Sequence, residues 1–219
     1  MTNQSFTDTG LTQRLTGSEQ FALRFYGPAV TMHTIRVGRL SRLMAYHLGF
    51  SEFNQERMER AGQWHDAGKL LVPECNSEAE LSDVERERIT KAHSDKAPQV
   101  LAHCKVEDPW IWQAAMLHHH DWQGDVISVE AAKYLFPYME GRFLAGTDIP
   151  EPARIVRPAD FFVGHMERRK HRSKIWTMEE VIEKLKRDKG RKFDPTMVEI
   201  FLSFCLVEAV TICAYEVVF

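Results

Sequence analysis

"SEFNQERMERAGQWHDAGKLLVP", residues 51–73, places Met58, Ala61 and His65 on one face at helical spacing, and Gly68 and Pro73 mark where the helix must stop. The stretch therefore reads as an amphipathic helix whose buried stripe ends on an adjacent pair, His65-Asp66. An imidazole aimed into an apolar stripe costs free energy unless something pairs with it. The same pattern recurs on both sides. "TMHTIRVGRLSRLMAYHLGF", 31–50, carries His33, Val37, Leu40 and Met44 on one face, with Gly49 as the C-terminal stop. "SDVE", 82–85, is a capping box that opens a helix through Ile89, His93 and Val100. Asp108-Pro109 is an N-cap followed by proline at the first helical position, and the helix it opens carries Ile111, Ala114 and His118 on one face. A further helix is predicted around Ala153–Glu167, one capped by "TMEE" at 177–180, and a last one started by Asp194-Pro195. No segment alternates as a strand should. The expected architecture is a single all-α bundle of about seven to nine helices over 21–219, with residues 1–20, rich in Thr, Ser, Gln and Gly, as a loose lead-in.

The bulk composition narrows the function. The chain has 219 residues, 44% hydrophobic and 27% charged, with a net charge of −3. That is the balance of a globular domain, and it lacks the basic field that a nucleic-acid polymer would require. The four cysteines, Cys75, Cys104, Cys205 and Cys213, form no CxxC pair and read as reduced thiols. The N-terminus shows no charged-then-apolar signal pattern, so a cytoplasmic location is expected. The tail "FLSFCLVEAVTICAYEVVF", 201–219, is apolar on most faces, but Glu208 and Glu216 interrupt it. It is expected to be a buried or interface helix rather than a membrane span, and a second copy of the chain is a candidate to cover it.

The chemistry lies in the histidines. His33, His65, His93 and His118 each sit on an apolar face of a different predicted helix. One such ring is ordinarily a hydrogen-bonded core residue; a shared metal ion would satisfy all four. Asp66 is a candidate bridging carboxylate, since each of its oxygens can take one cation. Asp160, mid-helix in "RIVRPADFF", is a further candidate, because an unpaired aspartate in that apolar setting would be expensive. The triplet His118-His119-His120 in "LHHHDWQGD", 117–125, offers a second adjacent pair. Mixed imidazole and carboxylate donors suit Fe, Mn, Zn or Ni rather than Ca or Mg.

In this order, "H…HDAGK…H…HH…D" resembles the HD phosphohydrolase superfamily, and more narrowly its HD-GYP branch. The resemblance runs from about Ala29 to Phe204. "WHDAGKLLVPE" resembles the family's HD-x-GK-x-x-x-P stretch and "LSDVERERITKAH" its L-[ST]-x-x-E…H segment. "IPEPARIVRPADFF" resembles I-P-x-x-A-R-I-x-x-x-A-D, and "GRKFDPTMVEIFL" the closing G-x-x-F-D-P-x-[LV]-V-x-x-F. The resemblance implies a helical bundle in which His33, His65, Asp66 and Asp160 hold one metal ion and Asp66, His93, His118 and His119 a second. It implies that Lys69 approaches a substrate phosphate, and Arg169 and Arg172, in the basic run "MERRKHRSK", match basic positions of the family. Two cations would lower the pKa of a bridging water and neutralise phosphate oxygens, so that hydroxide cleaves a phosphodiester. The expected function is hydrolysis of a cyclic dinucleotide, cyclic di-GMP first. Hydrolysis of another nucleotide and a non-catalytic binding module are the alternatives.

The chain departs from the family in several places. The family reads roughly H-H-E-x-x-D-G-x-G-Y-P where this chain reads "HHHDWQGDVIS", so the Gly-Tyr-Pro signature is missing. Aligning Trp122 and Gly124 makes His118-His119 the ligand pair and puts His120 at the family's acid position. A shift of one residue would choose His119-His120, with Asp121 as the acid. Residues 126–146 form an insertion beside the site. Ala29 stands where some members carry a Glu that supports a third metal, and Val163 where a second Asp is often found.

Overall fold

The structure, a computed structural model, describes residues 28–76, 82–135, 141, 143–167 and 176–214. Within them run eight helices, as the hydrophobic periodicity predicts. They are α1 (Pro28–His47), α2 (Glu52–Trp64), α3 (Asp83–His103), α4 (Pro109–Leu117), α5 (Val129–Leu135), α6 (Glu151–Met166), α7 (Met178–Asp188) and α8. The last begins as Pro195–Ile200, widens into a π-helical turn over Phe201–Cys205 and continues as Leu206–Ala214. The lead-in at 1–20 and the basic residues Arg169 and Arg172 lie outside the described residues.

Local chemistry sets the helix ends. Ser82 and Glu85 form the reciprocal capping box of α3, and Thr177 and Glu180 that of α7. Asp108 accepts from the Trp110 N–H at the start of α4, and Asp194 from Thr196 N–H at the start of α8, each followed by proline. Two expectations need correction. The second helix does not run on to Gly68: it ends at Trp64, and Ala67–Leu71 is a 3-10 turn. His65 thus becomes the C-cap, and Asp66 leaves the helix with φ −95° and ψ 13°, which turns its carboxylate inward. The stretch after the histidine triplet also contains a short antiparallel pair, Asp125 with Leu144 and Val126 with Phe143, flanking α5. Strands of two residues are too short to show alternation.

Three glycines let the helices approach. A Cβ on Gly38 of α1 would lie 2.7 Å from the Glu59 carbonyl of α2, and one on Gly62 2.7 Å from the Gly38 Cα. Here α1 and α2 touch backbone to backbone. A Cβ on Gly68 would lie 1.7 Å from the His93 carbonyl, so the 3-10 turn lies directly on α3. The core, with Leu40, Met44, Met58, Ile111, Ile155 and Phe162 fully buried, fills the space among α1, α2, α4 and α6. The inner face of α8 (Met197, Val198, Phe201, Cys205, Ala209) is buried against this bundle, while Phe204 and Val207 are exposed. Residues Pro195–Cys213 are long and apolar enough, at a mean hydropathy of 1.9, to cross a membrane by length and composition.

Asp108 also receives a guanidinium fork from Arg57 at 2.9 and 2.8 Å, which joins α2 to α4. Burial opposes the charged carboxylate, but the Arg57 hydrogen bonds and the Trp110 N–H outweigh it and hold Asp108 below its ordinary range. Asp108→Ala is expected to cost about 1–2 kcal/mol at neutral pH, read from urea unfolding. Since the folded pKa is the lower one, this contribution is present above the ordinary carboxylate pKa of about 4 and fades as pH falls through the folded value. The gap between wild type and variant should therefore close in acid. Gly68→Ala should lower stability by about 1–3 kcal/mol or more through overpacking and reduce metal retention, measured by thermal unfolding and metal analysis.

Candidate metal centre

Each element delivers its chemistry at the end or face that points to one buried point. His33 comes from the second turn of α1, His65 and Asp66 from the end of α2, and His93 from mid-α3. His118 and His119 follow α4, and Asp160 lies on α6. His33, His65, Asp66, His93 and His118 are each at most 2% exposed.

Asp66 lies between two sets of donors. Its Oδ2 faces His65 Nε2 at 3.2 Å and His33 Nε2 at 3.6 Å, and it accepts from the Lys69 ammonium. Its Oδ1 faces His93 Nε2 at 3.3 Å and His118 Nε2 at 3.9 Å. Asp160 joins the first set, with Oδ1 at 3.0 Å from His33 Nε2 and 3.5 Å from His65 Nε2. His119 joins the second, its ring centroid 3.9 Å from that of His118 and 5.0 Å from that of His93. Donor atoms of His33, His65 and Asp66 lie within 4.8 Å of one another, as do those of His93, His118 and His119. The structure thus brings His33, His65, Asp66, His93, His118, His119 and Asp160 to one centre.

The outer nitrogens fix the tautomers. His65 Nδ1–H donates to the Gly62 carbonyl at 2.6 Å, His118 Nδ1–H to the Ala114 carbonyl at 2.9 Å and His33 Nδ1–H to Glu167 Oε2 at 3.0 Å. Each of these bonds leaves an Nε2 lone pair directed at the centre, the arrangement a metal-ligating imidazole needs. His65 Nε2 is buried and faces only the carboxylate oxygens of Asp66 and Asp160, at 3.2 and 3.5 Å, and His93 Nε2 and His118 Nε2 face each other at 3.5 Å. A divalent cation fits such a donor set, because it satisfies lone pairs that no proton donor reaches.

Electrostatics agree. Burial works against the charged carboxylates, yet the surrounding imidazoles hold Asp66 and Asp160 well below the usual range, with Lys69 adding to the effect on Asp66. Burial also works against a charged His65, but Asp66 and Asp160 overcome it and raise its pKa to about 10. Burial keeps His93 neutral, at about 4, and holds His118 and His119 well below their ordinary value. The two carboxylates thus favour positive charge at the centre, which a divalent cation on the Nε2 atoms would supply. Lys69 itself sits on Asp66 and not out toward solvent.

The geometry separates His120 from the other two histidines of the triplet. His120 points away from the cluster and donates Nε2–H to the Asp125 carbonyl at 2.9 Å. Asp121 is not an inward acid either; it accepts from Arg157.

Two contributors escaped the sequence reading. Arg157 donates to the His118 carbonyl at 3.0 Å as well as to Asp121, pinning the turn that carries the ligand pair. An arginine among apolar residues in "RIVRPADFF" was the available signal, since a buried guanidinium must find acceptors. Glu167 gave none, because its partner lies 134 residues away.

A family model described as "HD domain" matches residues 30–162. The chain belongs to the HD domain family. It is 28% identical over 173 residues to the 3'3'-cGAMP-specific phosphodiesterase 2 of Vibrio cholerae serotype O1, covering 78% of this chain and 30% of that protein. It is 28% identical over 170 residues to the cyclic di-GMP phosphodiesterase response regulator RpfG of Xanthomonas campestris pv. campestris, covering 76% of this chain and 41% of that protein. The chain thus spans less than half the length of either relative. Among solved structures, the HD domain of the phosphodiesterase PgpH from L. monocytogenes, in complex with cyclic-di-AMP, shares the fold. It superposes with a TM-score of 0.61 at 16% identity, covering 91% of this chain and 99% of that one.

His120→Gln should leave bound metal per chain unchanged, whereas His118→Ala should lose about one ion's worth of binding, a drop of roughly 10- to 100-fold in affinity even where the ion is retained. Elemental analysis of the purified variants reads both outcomes.

Proposed function

We propose that the chain is a metal-dependent phosphohydrolase, most specifically a phosphodiesterase that hydrolyses a cyclic dinucleotide, with cyclic di-GMP the first candidate. The observation that carries this reading is Asp66, one buried carboxylate with imidazole donors on both of its oxygens. His33, His65, Asp66 and Asp160 would hold one ion, and Asp66, His93, His118 and His119 the other. Two divalent transition ions, Fe or Mn first and Ni or Zn otherwise, would polarise phosphoryl oxygens and supply an activated water. The protein's own part is to fix the donors. Asp66 ties the two halves together, and the Nδ1–H bonds of His33, His65 and His118 keep their rings from rotating. Lys69, released from Asp66, would reach a non-bridging phosphate oxygen as a point charge. Arg169 and Arg172 belong to the same proposal as phosphate contacts.

The dinucleotide substrate class is supported by the relatives, one named for cyclic di-GMP and one for 3'3'-cGAMP. The second name makes 3'3'-cGAMP the alternative substrate. A non-catalytic module is the less favoured reading, because the whole donor set and Lys69 are in place. A small nucleotide substrate, and four cysteines that form no CxxC pair, are consistent with a cytoplasmic location. Self-association, if it occurs, would use the exposed side of α8 with Phe204 and Val207.

The test is a hydrolysis screen of cyclic di-GMP, 3'3'-cGAMP, cyclic di-AMP and their linear forms with Mn²⁺ or Fe²⁺ under reducing conditions. Cleavage of a cyclic dinucleotide, reduced to background by Asp66→Asn, is the expected result. Cleavage of mononucleotides alone would overturn the substrate assignment. A protein that binds metal but cleaves nothing would favour the module.

A further inference from the structure

We infer that Glu167 is a positioning residue that makes the His33 side of the centre its higher-affinity half. The inference rests on the two-ion reading above. Glu167 lies at the C-terminal end of α6 and reaches across to α1, where its Oε2 accepts from His33 Nδ1 at 3.0 Å. Its other oxygen, Oε1, accepts from Arg36 Nη1 at 2.6 Å. Arg36 stands one turn beyond His33 on the same helix, so Glu167 links His33 to Arg36. The Glu167 and Arg36 side chains are only 11% and 12% exposed, which fixes the carboxylate orientation and shields it from solvent.

The two halves differ in kind. On the far side, His118 gives its Nδ1–H to a neutral carbonyl of its own helix, and the Arg157 guanidinium lies against the same turn. That half draws on three imidazoles and one oxygen of Asp66. The near half draws on Asp66 and Asp160, with Glu167 behind His33. A carboxylate accepting the outer N–H makes an imidazole a stronger donor than a carbonyl does, and Asp160 adds a negative charge that the far half lacks, the charge of Glu167 itself being offset by Arg36. The near half should therefore fill first.

Calorimetric titration of the chelator-treated full chain with Mn²⁺ tests this, alongside the visible d–d spectrum during titration with Co²⁺. Wild type is expected to show two classes of site. Glu167→Ala should weaken the tighter class by about 10- to 100-fold and leave the weaker class unchanged. Glu167→Gln, which keeps an acceptor but not the charge, should fall between. His118→Ala should abolish the weaker class only, and the first Co²⁺ equivalent should give an altered spectrum in Glu167→Ala but not in His118→Ala. Thermal unfolding of the apo variants identifies any that fail to fold, and for those the Gln variant is the deciding one. If both Glu167 variants bind like wild type, or weaken both classes equally, the inference is overturned. If wild type binds no Mn²⁺ or Co²⁺, the two-ion reading itself fails.

Discussion

A buried carboxylate cannot stay charged without partners, and the architecture of this chain follows from supplying them to Asp66. Only 1% exposed, it gathers His33 and His65 on one oxygen and His93 and His118 on the other. Those residues come from four different helices, so the bundle cannot be loosened at one point without stranding a charge at another. Burial of this kind is a poor source of stability, because hydrophobic residues of the same volume would serve a core better. It makes sense as the cost of holding donors at fixed distances for a cation.

The helices reach Asp66 only because backbone meets backbone at two places. Gly38 and Gly62 bring α1 onto α2, which sets the His33 and His65 rings 5.4 Å apart. Gly68 brings the 3-10 turn onto α3 at the carbonyl of His93 itself. The second contact sits between Asp66 and Lys69, whose side chains bond to each other. The glycine of the HDAGK stretch is thus a packing requirement of the metal centre, and a side chain there would push His93 away from Asp66.

How much of this was legible in the sequence depended on range. Caps and helix faces are local, and Ser82, Asp108, Thr177 and Asp194 marked their helices correctly. The inward histidines were legible because a polar ring in an apolar stripe breaks the periodicity that surrounds it. The end of α2 was not, since the apolar spacing continues past Trp64 while the chain tightens into a 3-10 turn to aim Asp66. Glu167 was invisible for a different reason. It sits next to a run of basic residues, where a glutamate reads as surface charge, and its role exists only through a ring on α1.

The residues after the ligand pair show how a departure from the family's signature is absorbed without disturbing the centre. Where a Glu is expected, His120 turns outward and holds the Asp125 carbonyl, the first residue of the short strand pair. Asp121 turns to Arg157, which also holds the His118 carbonyl. The Trp122 and Gln123 N–H groups donate to the carbonyls of Lys192 and Arg191, and Trp122 accepts from Gly146 N–H at the far end of the insertion. Each residue from 118 to 123 except His119 is therefore bound to a backbone or to a charge outside the cluster, or to a carbonyl of its own helix. The strand pair and the turn at 118–123 are joined by the His120 bond and by Gly146 N–H on the Trp122 carbonyl, so the positions of the strands and of His118 and His119 are set together. A change of loop at this point therefore keeps the donors of His118 and His119 in place only where it keeps the bonds of His120, Trp122 and Arg157.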